Sequence, residues 1–188
     1  MFDKRHIYAR ICGLTVLVVL LSASAALAGG FGLDVQQPTD RTNPKTRDAV
    51  LLISPGGCHG PGATVSATAE GLVNGRRQSM PLRLTTVQTD KAGITTYALR
   101  RQWPGEGSWV LSFTGTSRMT EPNGDPIVCR VILEMAPGGA IPAAQMARDG
   151  NRYLPLRYVT SDKKEIENAL QSLASKGSKS TAISRSSR

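Results

Sequence analysis

The dipeptide Asn74-Gly75 restricts the fold of this chain more than any other feature of the sequence. A two-residue type I′ turn needs positive φ at both central positions, and Asn followed by Gly meets that need best. With the turn centred there, the facing pairs are Val65–Leu84, Ala67–Leu82 and Ala69–Met80 on one face, and Ser66–Arg83 and Glu70–Ser79 on the other. The first face is apolar and the second is polar, and a shift of one residue would mix them. The sequence therefore predicts a β-hairpin in an antiparallel sheet.

The segment from Ile94 to Gly115 contains two further runs in which apolar and polar residues alternate. The first run ends at Trp103, the second begins at Trp109, and the loop between them contains Pro and Gly residues. Two period-2 runs separated by a short glycine-containing loop are typical of a β-hairpin. We therefore expect the two Trp side chains to face each other across paired strands and to form the centre of the core.

Two more runs continue the strand pattern, and residues 152–160 offer a further strand that Pro155 would confine to a sheet edge. The run from Ala49 to Ser54 is compact and apolar. In the run from Ile127 to Met135 one face is formed by Ile127, Cys129, Val131, Leu133 and Met135. Turn signals rich in Gly, Pro, Asn and Asp separate the strands at nearly regular spacing. This pattern predicts an all-β fold, an antiparallel sandwich of six to seven strands over residues 49–160.

The first 28 residues have the pattern of a secretory signal peptide. Basic residues precede an apolar run from Ile11 to Leu21, and Ala26-Leu27-Ala28 forms a small-residue cleavage site before Gly29. The apolar run is shorter than the roughly 20 residues that a membrane span needs. We therefore expect export to the periplasm or the extracellular space and no transmembrane segment after cleavage. Residues 29–48 are expected to form a flexible leader, whose one candidate strand is an edge strand near Phe31 to Val35.

Cys58 and Cys129 are the two cysteines that follow the predicted cleavage site. An even pair in an exported chain favours a disulfide, with free thiols as the alternative. Cys58 also precedes His59, but a catalytic Cys–His pair needs both side chains within hydrogen-bond reach, which sequence neighbours rarely provide. No pair of acids stands out on a predicted strand face, and no Gly-x-Ser-x-Gly elbow or phosphate-binding glycine loop occurs. The sequence therefore nominates no catalytic residue and no cofactor, and we expect a protein that is not an enzyme.

His59 is the only histidine after the predicted cleavage site. Thioethers are soft ligands that suit Cu(I), and the chain offers Met80, Met119, Met135 and Met146. Met80 and Met135 fall on predicted core faces, where Met usually serves packing. No His-x-His, Met-x-x-Met or Cys-x-x-Cys spacing concentrates ligands. A copper site built on His59 and one Met is therefore an alternative rather than the leading interpretation.

Basic residues outnumber acidic ones in this chain, with 23 Lys and Arg against 14 Asp and Glu. The doublets Arg76-Arg77, at a turn, and Arg100-Arg101, within a predicted strand, are candidates for a surface that binds an anionic polymer or a membrane. Solvated strand faces explain the same residues without any partner. Nucleic-acid binding is not expected, because no exposed aromatic side chains are interleaved with the basic ones.

Residues 161–188 predict a short helix followed by a disordered basic tail. Ser161 can cap a helix over Asp162 to Ser175, and Gly177 follows its end. The helix has one apolar stripe, which consists of Ile166, Ala169, Leu170 and Leu173. The residues after this helix are rich in Ser, Lys and Arg and too poor in apolar side chains to be ordered. The stripe either packs on the sandwich or docks a partner protein.

The run from Trp103 to Leu111, WPGEGSWVL, is similar to the Pro-x-x-Gly-x-Trp strand pair of small bacterial exported immunoglobulin-like domains. The copper-resistance and YtkA/FixH-like modules are examples of such domains. The resemblance covers the residues around one predicted hairpin and implies an immunoglobulin-like sandwich in the cell envelope. Copper handling in those families depends on His and Met ligands near one end of the sandwich. This chain has no matching His cluster, so no functional residue is carried over.

The leading functional expectation is a non-enzymatic, exported binding or accessory module of the cell envelope, whose partner is another envelope protein or a polymer. One alternative is a periplasmic module that binds or delivers copper with His59. The other is a basic adhesion module for an anionic polymer or membrane surface.

Overall fold

The computed structural model describes residues 30–40, 42–146, 150, 152–160 and 162–185. The predicted signal peptide over residues 1–28, the expected helix cap Ser161 and residues 186–188 lie outside this part of the chain. Among the described residues, none of the helical segments combines the length and the apolar composition of a membrane span.

The described residues form eleven strands and one α-helix. In chain order the strands are β1 (Gly32–Gln36), β2 (Leu51–Gly56), β3 (Thr64–Val73), β4 (Arg76–Leu82), β5 (Leu84–Thr89), β6 (Thr95–Leu99), β7 (Ser108–Thr120), β8 (Pro126–Glu134), β9 (Gln145–Met146), β10 (Arg152–Tyr153) and β11 (Leu156–Tyr158). The helix is α1 (Asp162–Arg185), and a single 3₁₀ turn at Pro137–Gly139 follows β8.

Most of these strands belong to two antiparallel sheets. The first sheet has the strand order β1-β2-β6-β5, and the second sheet has the order β11-β8-β7-β3-β4. Strands β9 and β10 form a separate two-stranded ribbon. The all-β class and the antiparallel pairing predicted from the sequence are therefore confirmed. The predicted edge strand over residues 152–160 is present in part as β11, which lies at the edge of the second sheet. The predicted number of strands is still too low, because strands as short as β9 and β10 carry no extended period-2 signal.

The two sheets contribute to one hydrophobic core. Leu51 and Leu99 of the first sheet and Trp109, Phe113 and Val131 of the second are completely buried within it. Burial alternates along β2, because successive side chains of a strand point to opposite faces. The alternation read from the sequence is thus the alternation between the core and the outer face of each sheet.

The hairpin at Asn74-Gly75 is confirmed in its turn and in most of its register. Both turn residues have positive φ, 50° for Asn74 and 73° for Gly75. The observed cross-strand pairs include Ala67–Leu82, Ala69–Met80 and Glu70–Ser79.

The register prediction is wrong beyond Leu82. Leu84 does not oppose Val65; it begins β5 in the first sheet and pairs with Leu99. At the junction, the Gln102 side chain takes the place of a strand partner for Arg83, because it accepts a hydrogen bond from the Arg83 backbone N and donates one to its carbonyl, both at 2.9 Å. The chain therefore changes sheets at Arg83.

The predicted Trp103–Trp109 hairpin is also wrong. Strand β6 lies in the first sheet and β7 in the second, so the residues between them form a crossover instead of a tight turn. Both indoles are nevertheless buried. Trp109 Nε1 donates to the Glu106 carbonyl at 2.6 Å, and Trp103 Nε1 donates to the Gly139 carbonyl at 2.7 Å. Alternation marks a strand with one buried face, but it does not say which strand is the neighbour.

The segment expected to be a flexible leader contributes a strand to the fold. The possible edge strand that the sequence suggests near Phe31 to Val35 is present as β1, which pairs with β2. Leu33 and Val35 are buried in the shared core. This part of residues 29–48 is therefore packed rather than loosely attached.

Helix α1 begins where predicted but continues past Gly177 to Arg185. The predicted helix end and the disordered tail from residue 176 are therefore wrong for the described residues. A single Gly inside a helix costs only about 1 kcal/mol relative to Ala, so it does not by itself end the helix. Ile166, Ala169 and Leu170 pack against Val110 and Ile132 of the second sheet, which confirms the first of the two expected roles for the stripe.

Candidate functional site

The loop between β2 and β3 positions His59. Gly57 and Gly62 adopt φ values of 79° and 68°, which favour glycine. The Gly62 backbone N donates to the Gly93 carbonyl at 2.9 Å and thereby joins the loop to the turn between β5 and β6. The Gly- and Pro-rich sequence thus produces a loop with a defined course, and His59 lies half-buried in it.

Met119 reaches the same region from the far end of β7. The register between β7 and β8 shifts between Thr116 and Thr120, and such irregularities re-aim side chains near the end of a strand. The Ser117 hydroxyl accepts a hydrogen bond from the Met119 backbone N at 3.0 Å, which fixes the local backbone. The Met119 side chain remains 58% exposed, so its thioether is accessible from solvent.

His59 and Met119 are in direct contact. The imidazole Nδ1 lies 3.2 Å from the Met119 sulfur. The adjacent Arg118 side chain packs on Gly62, where an added Cβ would overlap it. The end of β7 and the β2–β3 loop therefore hold an imidazole and a thioether together. We call His59 and Met119 the His–Met pair.

The chemistry of the His–Met pair suits a soft metal ion. A thioether selects Cu(I), and an imidazole is also a good copper ligand. Structural zinc and calcium sites need larger sets of thiolate, imidazole or carboxylate ligands. Within the described part of the chain, no group of three or more His, Cys, Asp or Glu side chains is placed to hold a metal. The pair therefore fits Cu(I) better than it fits zinc or calcium.

Cys58 and Cys129, both within the described residues, do not form the predicted disulfide. Cys58 is exposed in the β2–β3 loop, whereas Cys129 is buried in β8. Burial raises the pKa of the Cys129 thiol, and a hydrogen bond to the backbone of Leu33 in β1 partly opposes that shift. The thiol thus lies against β1 inside the core. The prediction was wrong because an even number of cysteines carries no information about where their side chains point.

The doublet Arg76-Arg77 contributes to internal packing as well as to surface charge. Arg77 lies between two carboxylates, with nitrogen–oxygen distances of 3.4 Å to Glu70 and 3.7 Å to Glu167 of α1. Arg76 is exposed at the turn. The Arg77 charge is therefore largely balanced by neighbours in the same chain.

The doublet Arg100-Arg101 is similarly divided. The Arg101 guanidinium lies 5.9 Å from the centre of the Trp103 ring and donates to the Gly138 carbonyl at 2.8 Å. Arg100 is exposed at the end of β6. The seven residues of β4, about 20 Å of strand, separate the region of Arg76 from the Arg83 junction near Arg100. The structure therefore does not bring the two doublets into one surface.

The sequence offers Met119 as a soft ligand but contains no pattern that connects it with His59. The two residues are 60 positions apart, and no short motif links them. A row of hydroxyl side chains on the outer face of the second sheet, which includes Thr68, Ser112 and Thr114, was not predicted as a functional feature. The signal for that row was present in the alternation of β3 and β7, where these positions are polar.

No protein-family model, curated protein or solved structure matches this chain.

Proposed function

We propose that the chain is an exported, non-enzymatic binding module with an immunoglobulin-like fold, and that it binds Cu(I) at the His–Met pair. The contact between the His59 imidazole and the Met119 sulfur, at 3.2 Å, carries the functional part of this proposal. The strand order supports the immunoglobulin-like fold, and the pattern of the N-terminal sequence supports export.

The strand order supports an immunoglobulin-like arrangement. Immunoglobulin domains have strands A, B, E and D in one sheet and C, F and G in the other, and variable-type domains add C′ beside C. When β1 to β8 receive the letters A, B, C, C′, D, E, F and G in chain order, the first sheet reads A-B-E-D. The second sheet then reads G-F-C-C′, with β11 added outside G.

Export is supported by the basic, apolar and small-residue segments that precede Gly29. Expression in a bacterial host, followed by N-terminal sequencing of the exported protein, tests this part. A mature chain that begins at Gly29 is expected. An Ala28→Arg variant, in which the small-residue site is lost, should remain uncleaved. A wild-type protein that stays in the cytoplasm with Met1 intact would contradict export.

The Cu(I) proposal is supported by how the two donors are held. His59 lies in a loop fixed to a neighbouring turn, and Met119 lies on a strand end fixed by the Ser117 hydroxyl. Two donors held together by the fold lose less conformational freedom on binding an ion than two mobile side chains would. The nitrogen and the sulfur therefore offer a partly preorganised pair of ligands.

Copper binding is tested by loading the purified protein with Cu(I) under reducing conditions and measuring the metal that survives dialysis. Wild-type protein should retain about one copper per chain, as the single pair of mixed soft donors suggests. His59→Ala and Met119→Ala should each lose most of it. Met146→Ala is the matched control, because Met146 has the same 58% exposure as Met119 and should leave retention unchanged.

Equal and sub-stoichiometric copper in wild type and His59→Ala would dismiss the metal-binding function. The non-enzymatic part has a separate test, a panel of hydrolase and redox substrates. Turnover that disappears when one polar residue is changed would overturn it. The adhesion alternative based on the arginine doublets has less support, because Arg77 and Arg101 are both engaged within the chain.

A further inference from the structure

An open groove of about 760 Å³ lies between the first turns of α1 and the outer face of the second sheet. Helix α1 packs on the part of this face that carries Val110 and Ile132. The groove occupies the adjoining part, whose floor includes Thr68, Ser112 and Thr114. Its volume falls within the range of about 300–1,000 Å³ that is usual for small-ligand sites.

Ser112 is the most informative residue of this floor. It is only 6% exposed, it lines the groove, and its hydroxyl makes no hydrogen bond to any described residue. Buried hydroxyls normally have a partner, because an unsatisfied one destabilises the fold. Thr68 lies directly opposite Ser112 across the β3–β7 pair, and Thr114 follows two positions along the same face of β7. The floor therefore presents adjacent hydroxyl groups to whatever enters the groove.

The groove has a net charge of +1, because its lining contains three cations, Arg77, Lys163 and Lys164, and two carboxylates. The two carboxylates that line it, Glu70 and Glu167, both lie beside Arg77. Glu70 also accepts a hydrogen bond from the Ser79 hydroxyl at 2.8 Å. Lys163 and Lys164 line the groove from the first turn of α1, are exposed, and have no ion pair with any described residue. Two ammonium groups thus remain available to an anion.

We propose that this groove binds an anionic polysaccharide through its carboxylate-bearing sugar residues. The hydroxyls of Ser112, Thr68 and Thr114 exchange hydrogen bonds with sugar hydroxyl groups. The ammonium groups of Lys163 and Lys164 pair with the carboxylates. The proposal uses none of the residues of the His–Met pair, and neither proposal depends on the other.

Other polyanions fit these residues less well. None of the described residues that line the groove is aromatic, so it offers no surface on which nucleic-acid bases can stack. Ile166 is the only large apolar side chain among those lining residues, which gives little to hold lipid tails. A row of hydroxyls beside two cations instead matches a ligand that carries many hydroxyls and some carboxylates.

The test is calorimetric titration of the purified protein with a short oligogalacturonate at low salt. The variant Lys163→Ala/Lys164→Ala should bind about tenfold more weakly, because two charge pairs are lost. Lys91→Ala/Arg100→Ala removes two exposed charges outside the groove and should bind as the wild type does. Ser112→Ala should bind about three- to tenfold more weakly while its Tm stays equal or rises, because its hydroxyl has no partner to lose within the chain.

A neutral malto-oligosaccharide and inorganic polyphosphate complete the design. The neutral sugar should bind more weakly than oligogalacturonate, and polyphosphate should show no dependence on Ser112. The proposal is overturned if oligogalacturonate does not bind, or if the Lys91/Arg100 control loses as much affinity as the lysine variant. It is also overturned if Ser112→Ala binds as the wild type does, or if polyphosphate binding shows the same loss in Ser112→Ala.

Discussion

The indole nitrogen of Trp103 donates a hydrogen bond to the backbone carbonyl oxygen of Gly139, with 2.7 Å between the two atoms. Trp103 lies in the crossover between the two sheets, and Gly139 lies in the loop after β8. A Cβ at Gly139 would lie 2.9 Å from the Pro104 carbonyl and 3.1 Å from two atoms of the indole, and the φ of Gly139 is 64°. Only glycine allows this approach without strain. The bond therefore fixes the crossover to the end of the second sheet.

Replacing Trp103 with Phe should lower the free energy of unfolding by about 1–3 kcal/mol, because the buried Gly139 carbonyl loses its donor. Urea denaturation measures the change. Tyr153→Phe is the control, because Tyr153 is 46% exposed and loss of its hydroxyl should change stability by less than about 0.5 kcal/mol. A Trp103→Phe variant as stable as the wild type would show that the bond does not hold the crossover.

The arginine doublet beside this tryptophan allows a comparison of adjacent residues of the same type. Arg101→Ala should destabilise the fold by about 1 kcal/mol, because it removes the stacking on Trp103 and the hydrogen bond to Gly138. Arg100→Ala should have an effect below about 0.5 kcal/mol. Urea denaturation of both variants side by side gives the answer. Equal effects would contradict the assignment of Arg101 to the crossover.

The buried Cys129 thiol should make stability depend on alkaline pH. Burial raises the pKa of this thiol above its ordinary value. Well below about pH 8.5, the usual pKa of a thiol, it is protonated in both the folded and the unfolded chain, so its contribution to stability is constant. As the pH rises further, the Cys129 thiol loses its proton in the unfolded chain before it does so in the folded chain. The free energy of unfolding therefore falls progressively until the pH exceeds the pKa of the thiol in the folded chain.

Urea denaturation at pH 7.5 and pH 10 measures this dependence. Cys129→Ala should lose less stability between the two pH values than the wild type does, whatever its stability at neutral pH. Cys58→Ala is the matched control and should keep the wild-type pH dependence, because Cys58 is exposed. The same pH dependence in all three proteins would rule out the contribution of Cys129.

The docking of α1 rests on side chains such as Leu170, which is 1% exposed. Leu170→Ala should lower the free energy of unfolding by about 2–5 kcal/mol, as buried Leu truncations do. Gln171→Ala, on the exposed side of the same turn, should change it by less than about 0.5 kcal/mol. Denaturation followed by circular dichroism at 222 nm reports the helix and the sheets together. Similar stabilities for the two variants would mean that the helix does not stabilise the sheets.

The parts of the fold that the sequence predicts well are those decided by neighbouring residues. Asn74-Gly75 sets its own turn type and the pairs on either side of it, and the structure follows as far as Leu82. The apolar stripe of α1 is likewise local, and it packs as expected. The changes of sheet at Arg83 and between β6 and β7 depend on distant partners such as Gln102 and Gly139. Alternating apolar residues fit either sheet equally well, so the pattern could not locate those crossovers.

The candidate site could likewise be predicted from the sequence only in part. The sequence identifies His59 and Met119 as possible ligands, but their contact arises because β7 is long and irregular near its end. The prediction of a disulfide between Cys58 and Cys129 was wrong because it rested only on the even number of cysteines. Ser112 looked like one more polar position on a strand, and its significance depends on the start of α1 lying over it.

The most direct test of the copper proposal is X-ray absorption spectroscopy at the copper edge of protein loaded with one equivalent of Cu(I). We expect a sulfur scatterer together with an imidazole nitrogen in the wild type. Met119→Ala should lose the sulfur contribution, whereas Met146→Ala should keep the wild-type spectrum. A spectrum that is identical in wild type and Met119→Ala, or that lacks sulfur altogether, would contradict the assignment of the His–Met pair as the copper site.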